Sequence, residues 1–209
     1  MENVAILAAV AAFLLYSARA NAIEGEPVIK PDTSDNSDGE LHSDADKIAA
    51  FLYAIRLSEH QRADVLLDTD YFLAYARVPF SNMRDHPANT GEVKGYPLSA
   101  DMCRRAGFPP GCVSTAAGAY QIIRPTWESI RAAGPHGARI PDFTPASQDE
   151  AATRLLRRAG AVDLLLADDF TGAVRVASGL WASLPGSTAG QGGRSLHFVA
   201  QAYDEGLNA

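Results

Sequence analysis

The stretch from Asp44 to Glu59 constrains the fold more than any other. Ile48, Phe51, Leu52 and Ile55 recur at the three-and-four spacing of one helical face, behind Ser43 or Asp44 as a cap. Glu59 stands eleven positions after Ile48, and at about 100° per residue it returns to within roughly 20° of it. An apolar helical stripe therefore ends in a carboxyl. Either that carboxyl is drawn out of water with the stripe, or it sits on a fraying last turn and faces solvent. In the first case desolvation raises its pKa and keeps it protonated near neutrality, as a general acid for a glycosidic oxygen requires.

Beyond this helix the pattern changes. Residues 62–113 are short runs with Tyr, Phe and Val broken by Pro79, Pro87, Pro97 and Pro109-Pro110, which predicts loops and one small β-hairpin. Helical character returns after Gly118. Helices are expected over about 125–133 (Pro125 in the first turn), 147–158 (Ser147 as cap, Asp149 and Glu150 in the first turn), 168–180 and 194–205. The fold class is α+β, mostly α, with a small β-rich insertion near the front.

Residues 4–16 are uninterruptedly apolar and are followed by SARANA. Thirteen such residues make about 20 Å of helix, short of the ~30 Å hydrocarbon core. Residues 1–22 thus read as a secretory signal with small-residue cleavage sites at Ala18-Arg19-Ala20 or Ala20-Asn21-Ala22. A weak N-terminal membrane anchor and a core helix are the alternatives. Residues 23–43 hold six acids against Lys30 alone, −5 of the formal net charge of −7, and lack hydrophobic periodicity. They read as an acidic flexible linker to a nearly neutral domain over 44–209. Net negative charge argues against a protein that holds nucleic acid by counterion release.

In an exported chain the two cysteines, Cys103 and Cys112, can close a small loop in a stretch dense in Gly and Pro; two free thiols are the alternative. His42, His60, His86, His136 and His197 have no ligand spacing, so no metal is expected. Asp85-His86 resembles a catalytic dyad only superficially, since no serine or cysteine nucleophile is placed by the sequence. Trp127 and Trp181 sit in helical patterns and read as core.

In STAAGAYQ, Ala116, Ala117 and Gly118 are small enough for backbone to approach a sugar, while Ser114, Tyr120 and Gln121 supply donors and acceptors for hydroxyl and acetamido groups. Tyr120 could also lie against a pyranose face. A tight turn capped by a core tyrosine is the competing reading.

FLYAIRLSEH (51–60), YFLAYARVPFSNMRDHP (71–87), STAAGAYQII (114–123), DFTPASQDEAA (142–152) and SGLWASLPG (178–186) resemble, in the same order, the bacteriophage lambda-type lysozymes, the endolysin family of peptidoglycan lytic transglycosylases. The resemblance covers about residues 45–205 and implies a lysozyme-like fold. It implies that Glu59 is a single general acid and base, that Ser114, Tyr120, Gln121 and Phe80 bind substrate, and that no cofactor is needed. The implied partner is the peptidoglycan glycan strand. The leader lies outside the resemblance and is itself read as directing export to the periplasm or secretion, with transient membrane association through residues 4–16, and the protein is read as a monomer. The implied product is 1,6-anhydro-N-acetylmuramic acid. A hydrolytic muramidase and a non-catalytic cell-wall binding module are the alternative functions. Four positions depart from the family pattern: Phe72 replaces an acid, Ala76-Arg77 replaces Gly-Gly, and His60 replaces the glycine after the catalytic glutamate.

Overall fold

The computed structural model describes residues 42–61, 67–135, 137–187 and 193–209. The expected leader, the acidic linker up to residue 41, and His136 lie outside the described residues. Helix α1 (Asp44–Glu59) comes first, then a 3-10 turn (Asp68–Phe72) and strands β1 (Leu73–Ala74) and β2 (Val78–Pro79), joined through a second 3-10 turn (Tyr75–Arg77). There follow α2 (Pro87–Thr90), β3 (Tyr96–Pro97), α3 (Ala100–Arg105), β4 (Val113–Ser114) and α4 (Arg124–Arg131). Helices α5 (Pro145–Arg158), α6 (Ala161–Leu166), α7 (Phe170–Ala177) and α8 (Leu196–Leu207) complete the order.

The architecture is mostly α, as expected, with local differences. The front carries two antiparallel hairpins rather than one, with Leu73 opposite Pro79 and Tyr96 opposite Ser114. Helices α2 and α3 lie within the segment expected to be loop, and α6 is too short for its periodicity to register. Ser147 does not cap α5, which begins two residues earlier; its hydroxyl donates instead to Asp142 Oδ1 at 2.6 Å.

The described residues form two compact units, residues 67–151 and residues 42–61 with 152–209. In the unit containing α1, that helix packs on α8 and α6, and α6 packs on α7. A capping box fixes its start: Ser43 Oγ accepts from the Asp46 N–H at 3.2 Å, and Asp46 Oδ2 accepts from the Ser43 N–H at 2.9 Å. Phe51, Leu52 and Ile55 are buried together with Ala50, Ala54 and Leu57, a front wider than the sequence stripe, while Ile48 keeps partial exposure. Three rings from three helices meet here: Phe51 lies 6.0 Å from Phe170 and 6.4 Å from Tyr203, and those two are 5.0 Å apart. Each buried aromatic contributes about 1.5–3 kcal/mol to holding α1 against α7 and α8.

The core of the other unit is built on Phe143, with Trp127 at 4.8 Å, His86 at 5.0 Å and Phe80 at 6.0 Å between ring centroids. Trp127 and, in the unit containing α1, Trp181 are core residues as the sequence reading has it, although Trp181 lies beyond the end of α7 rather than in a helix. A disulfide joins Cys103 to Cys112. The Leu98 N–H donates to Cys112 O at 3.0 Å and the Phe108 N–H to Cys103 O at 2.8 Å. A hairpin of two-residue strands is not stable alone, so this covalent closure is what holds β3 and β4 together.

Candidate active site

Glu59 is the last residue of α1, and the helix stops there because His60 leaves helical geometry (φ −89°, ψ 6°). The side chain is neither fully buried nor turned freely outward. Ser183 Oγ donates to Glu59 Oε1 at 2.5 Å, and the Ser183 backbone N–H is also directed at the carboxyl. Burial pushes the Glu59 carboxyl up to about 7, with the two Ser183 bonds pulling it partly back. At neutral pH both protonation states are therefore populated, the condition for one group to give and then take a proton.

Ser183 is held by its flanks. Trp181 and Leu184 on either side are buried, and Ser183 O accepts from the Arg194 N–H at 2.7 Å. Chain approach at this point is so close that a Cβ on Gly193 would lie 2.6 Å from Leu184 O. Ser183 falls within the quoted SGLWASLPG motif, but nothing in the sequence marks it as the partner of a residue 124 positions away.

The second group of candidates lies in the other unit. Gln148, fully buried, staples the STAAGAYQ loop: its Oε1 accepts from the Ala119 N–H at 2.9 Å and its Nε2 donates to Tyr71 O at 3.0 Å and Phe143 O at 2.9 Å. Gly118 (φ +78°) faces it so closely that an added Cβ would stand 2.1 Å from Gln148 Oε1. This is why the loop needs glycine there.

The expected substrate residues divide. Gln121 holds a left-handed backbone (φ +45°) and spends both amide protons on carbonyls, Leu73 O at 3.1 Å and Gly118 O at 2.9 Å. What its side chain has left to offer is the carbonyl oxygen, an acceptor for a sugar N–H or O–H. Ser114 is partly exposed, and its Oγ accepts from the Ala116 N–H at 3.3 Å. Tyr120 and Phe80 are corrections. Tyr120 is 1% exposed and its hydroxyl donates to Asp149 Oδ1 at 2.6 Å, while Phe80 is 4% exposed against Phe143. Neither ring has a face to give to a sugar; the core-tyrosine reading of the turn is the one that fits.

The remaining carboxyls near these motifs have structural work. Burial raises the Asp85 carboxyl, but bonds from Trp127 Nε1 (2.7 Å), the His86 N–H (2.7 Å), Arg131 and Asn89 outweigh it and hold the group below the usual range. His86 Nε2 donates to Ile122 O at 2.9 Å and its Nδ1 accepts from the Ala88 N–H at 3.2 Å, a neutral core histidine rather than half of a dyad. Asp70 is fully buried and accepts from the Leu67 N–H at 3.3 Å. Phe72, where the family pattern has an acid, is 37% exposed. Among the described residues no group of three or more His, Cys, Asp or Glu side chains is placed to hold a metal ion.

The helical order, the small hairpins and the glutamate closing α1 define a lysozyme-like fold. Bacteriophage lambda lysozyme complexed with a chitohexasaccharide matches with a TM-score of 0.61 at 26% identity, covering 77% of this chain and 94% of that one. A second structure, lysozyme from bacteriophage lambda, shares the fold with a TM-score of 0.53 at 24% identity over 78% of this chain and 90% of the other. Residues 49–208 match the Endolysin family, and the chain belongs to it. It is 35% identical over 117 residues to the endolysin of Escherichia phage P2, covering 56% of this chain and 62% of that protein. It is also 35% identical over 82 residues to the endolysin of Escherichia phage lambda, covering 39% and 49% respectively. The chain thus spans between about half and three-fifths of the length of these relatives.

Proposed function

We propose that the protein is an exported peptidoglycan lytic transglycosylase in which Glu59 performs both proton transfers. The observation that carries this reading is the Glu59 carboxyl itself, raised to about 7 by burial and met by the Ser183 hydroxyl. In its acid form Glu59 protonates the oxygen bridging N-acetylmuramic acid and N-acetylglucosamine, and the C1–O bond breaks as that proton arrives. The resulting carboxylate, stabilised by Ser183, takes the proton of the muramyl 6-hydroxyl as O6 bonds to C1. One sugar chain leaves with a new hydroxyl, the other closes as a 1,6-anhydro ring, and Glu59 returns to its acid form.

Intramolecular attack is favoured over water for two reasons. The 6-hydroxyl is already part of the bound substrate and reacts at a high effective concentration. Hydrolysis needs a second group to activate water or to form a glycosyl ester, and the family position that would carry an acid is Phe72, whose ring does neither. The Gln121 carbonyl oxygen and the Ser114 hydroxyl are assigned to substrate hydrogen bonding. Residues 1–22 are assigned to export, so that the enzyme acts as a monomer in the periplasm or outside the cell, and residues 4–16 to transient membrane association.

Mass spectrometry of digested peptidoglycan tests the reaction. Cleaved strands are expected to end in 1,6-anhydro-N-acetylmuramic acid. A majority of reducing muramyl ends would replace the transglycosylase reading with a hydrolytic muramidase, and intact strands would leave a cell-wall binding module. N-terminal sequencing of the secreted protein is expected to start near Asn21 or Ile23; recovery of Met1 would overturn cleavage of the leader.

A further inference from the structure

We propose that the β3–β4 hairpin carries a sugar-stacking subsite of its own, in which Tyr96, backed by Tyr75 and flanked by Ser114, takes an N-acetylated pyranose of a β-1,4 glycan. Tyr96 and Ser114 are direct cross-strand partners, so their side chains leave the same face of the hairpin. Tyr96 is 42% exposed, so part of its ring faces solvent. Its ring is not loose: Tyr75 packs against it with centroids 5.5 Å apart and planes inclined at 51°.

Three features distinguish this arrangement from an incidental surface tyrosine. The backing ring is fixed at a cost, because Tyr75 is followed by Ala76 (φ +58°) and Arg77 (φ +63°), two consecutive non-glycine residues in the left-handed region, and such strain gathers where a structure holds something in place. The hairpin is tied by the Cys103–Cys112 bond and by the Leu98 N–H on Cys112 O at 3.0 Å, so the platform is preorganised. Polar chemistry stands beside the apolar ring: Ser114 Oγ accepts from the Ala116 N–H and retains its own proton to donate. A ring face beside a hydroxyl matches a pyranose, whose axial hydrogens form an apolar face ringed by hydroxyl and acetamido groups. A flat aliphatic ligand would leave the serine unused.

The proposal rests on the glycan-cleaving reading for its choice of sugar, and its test is separate. Full-length protein carrying Glu59→Gln, so that the sugar is not consumed, is titrated with chitohexasaccharide by calorimetry. Adding Tyr96→Ala is expected to weaken binding about 10-fold, as for a stacked tyrosine truncated at a contact. Tyr96→Phe should stay within about 2-fold, since it keeps the ring, and Tyr96→Leu should behave like the alanine variant because stacking needs a ring rather than bulk. Unchanged thermal melting of each variant would place the loss at the ligand. Binding by Tyr96→Ala within about 2-fold of its parent would overturn the subsite, as would the absence of saturable binding by the Glu59→Gln parent. Neither result touches the catalytic reading, which stands or falls on the products that the unmodified enzyme releases from peptidoglycan.

Discussion

Ser183 donates its hydroxyl to Glu59 at 2.5 Å across 124 positions of sequence, so a carboxyl that desolvation pushes up to about 7 is held by a donor that favours its charged form. The two effects oppose each other by design of the fold. Burial alone would hold Glu59 almost wholly in its protonated form; the serine moderates that, leaving both protonation states populated near neutrality.

Glu59→Gln is expected to lower glycan cleavage by roughly 10³-fold or more with the fold retained. Stability gives an independent readout. Because the folded-state pKa lies near 7 and the ordinary value is 4.5, the native protein binds more protons than the unfolded chain between those limits, and stability falls as pH rises through them. The glutamine variant lacks this loss. It should be more stable than the parent at pH 8, by about 2 kcal/mol, and the difference should shrink toward pH 4. Equal melting curves for the two proteins at pH 8 would refute the desolvated carboxyl.

Ser183→Ala removes a bond that lowers the Glu59 pKa, so the alkaline limb of the pH–rate profile should move upward. The first half-reaction needs the acid form and tolerates the change; the second loses the donor that stabilises the carboxylate. A fall in kcat of about 10-fold with an upward-shifted limb is expected. A downward-shifted limb would mean that Ser183 acts on Glu59 in some other way.

Much of this site was legible in the sequence, for reasons that also explain what was not. The α1 stripe and its terminal glutamate are local and periodic, and Ser43 announces the helix start three residues before Asp46. Gln121 and Ser114 lie in a motif whose small residues signal close approach. The bonds from Ser183 to Glu59 and from Gln148 to the Gly118–Ala119 turn join distant segments, and polar residues in turns carry no period to read. Tyr120 and Phe80 misled because an aromatic beside a polar motif has the same letters whether its ring faces a ligand or Phe143.

His86 supplies an acid-side counterpart to Glu59. Burial, only partly offset by its bond to Ile122 O, pulls its pKa from 6.5 down to about 4. The folded protein therefore binds fewer protons than the unfolded chain within that window. Stability from this residue is complete above about 6.5 and is lost as pH falls toward 4, on the order of 3 kcal/mol in all. Nitrogen-resolved NMR should find the Nε2–H tautomer at pH 7; a ring that titrates near 6.5 would contradict the buried arrangement.

At the tip of the β1–β2 hairpin, Ala76 and Arg77 occupy the left-handed region at φ +58° and +63°, at the two positions where the family pattern reads Gly-Gly. The geometry has been kept without the residue that adopts it freely. Ala76→Gly should therefore raise stability, by about 0.5–1 kcal/mol after the entropy glycine adds to the unfolded chain. Glycine in an ordinary helical or extended position would lower it by a similar amount, so the sign of the change in melting temperature is the test.

The Cys103–Cys112 bond gives the final prediction, because its effect is local as well as global. Closing a loop of nine residues' separation is worth about 2–3 kcal/mol on the chain-entropy view, and Cys103→Ser with Cys112→Ser should destabilise the protein by that amount. The hairpin should feel it first. Strands β3 and β4 have two residues each, and their pairing depends on that closure because so short a ladder has no stability of its own. In native-state hydrogen exchange, the amides of Leu98 and of the β3–β4 ladder should lose more protection in the double variant than the fall in global stability accounts for, while those of α1, a helix held by Phe51, Phe170 and Tyr203, should fall by no more than that amount. A uniform loss of protection throughout the chain would instead make the bond a general contributor to stability, and would separate it from the hairpin that carries Tyr96 and Ser114.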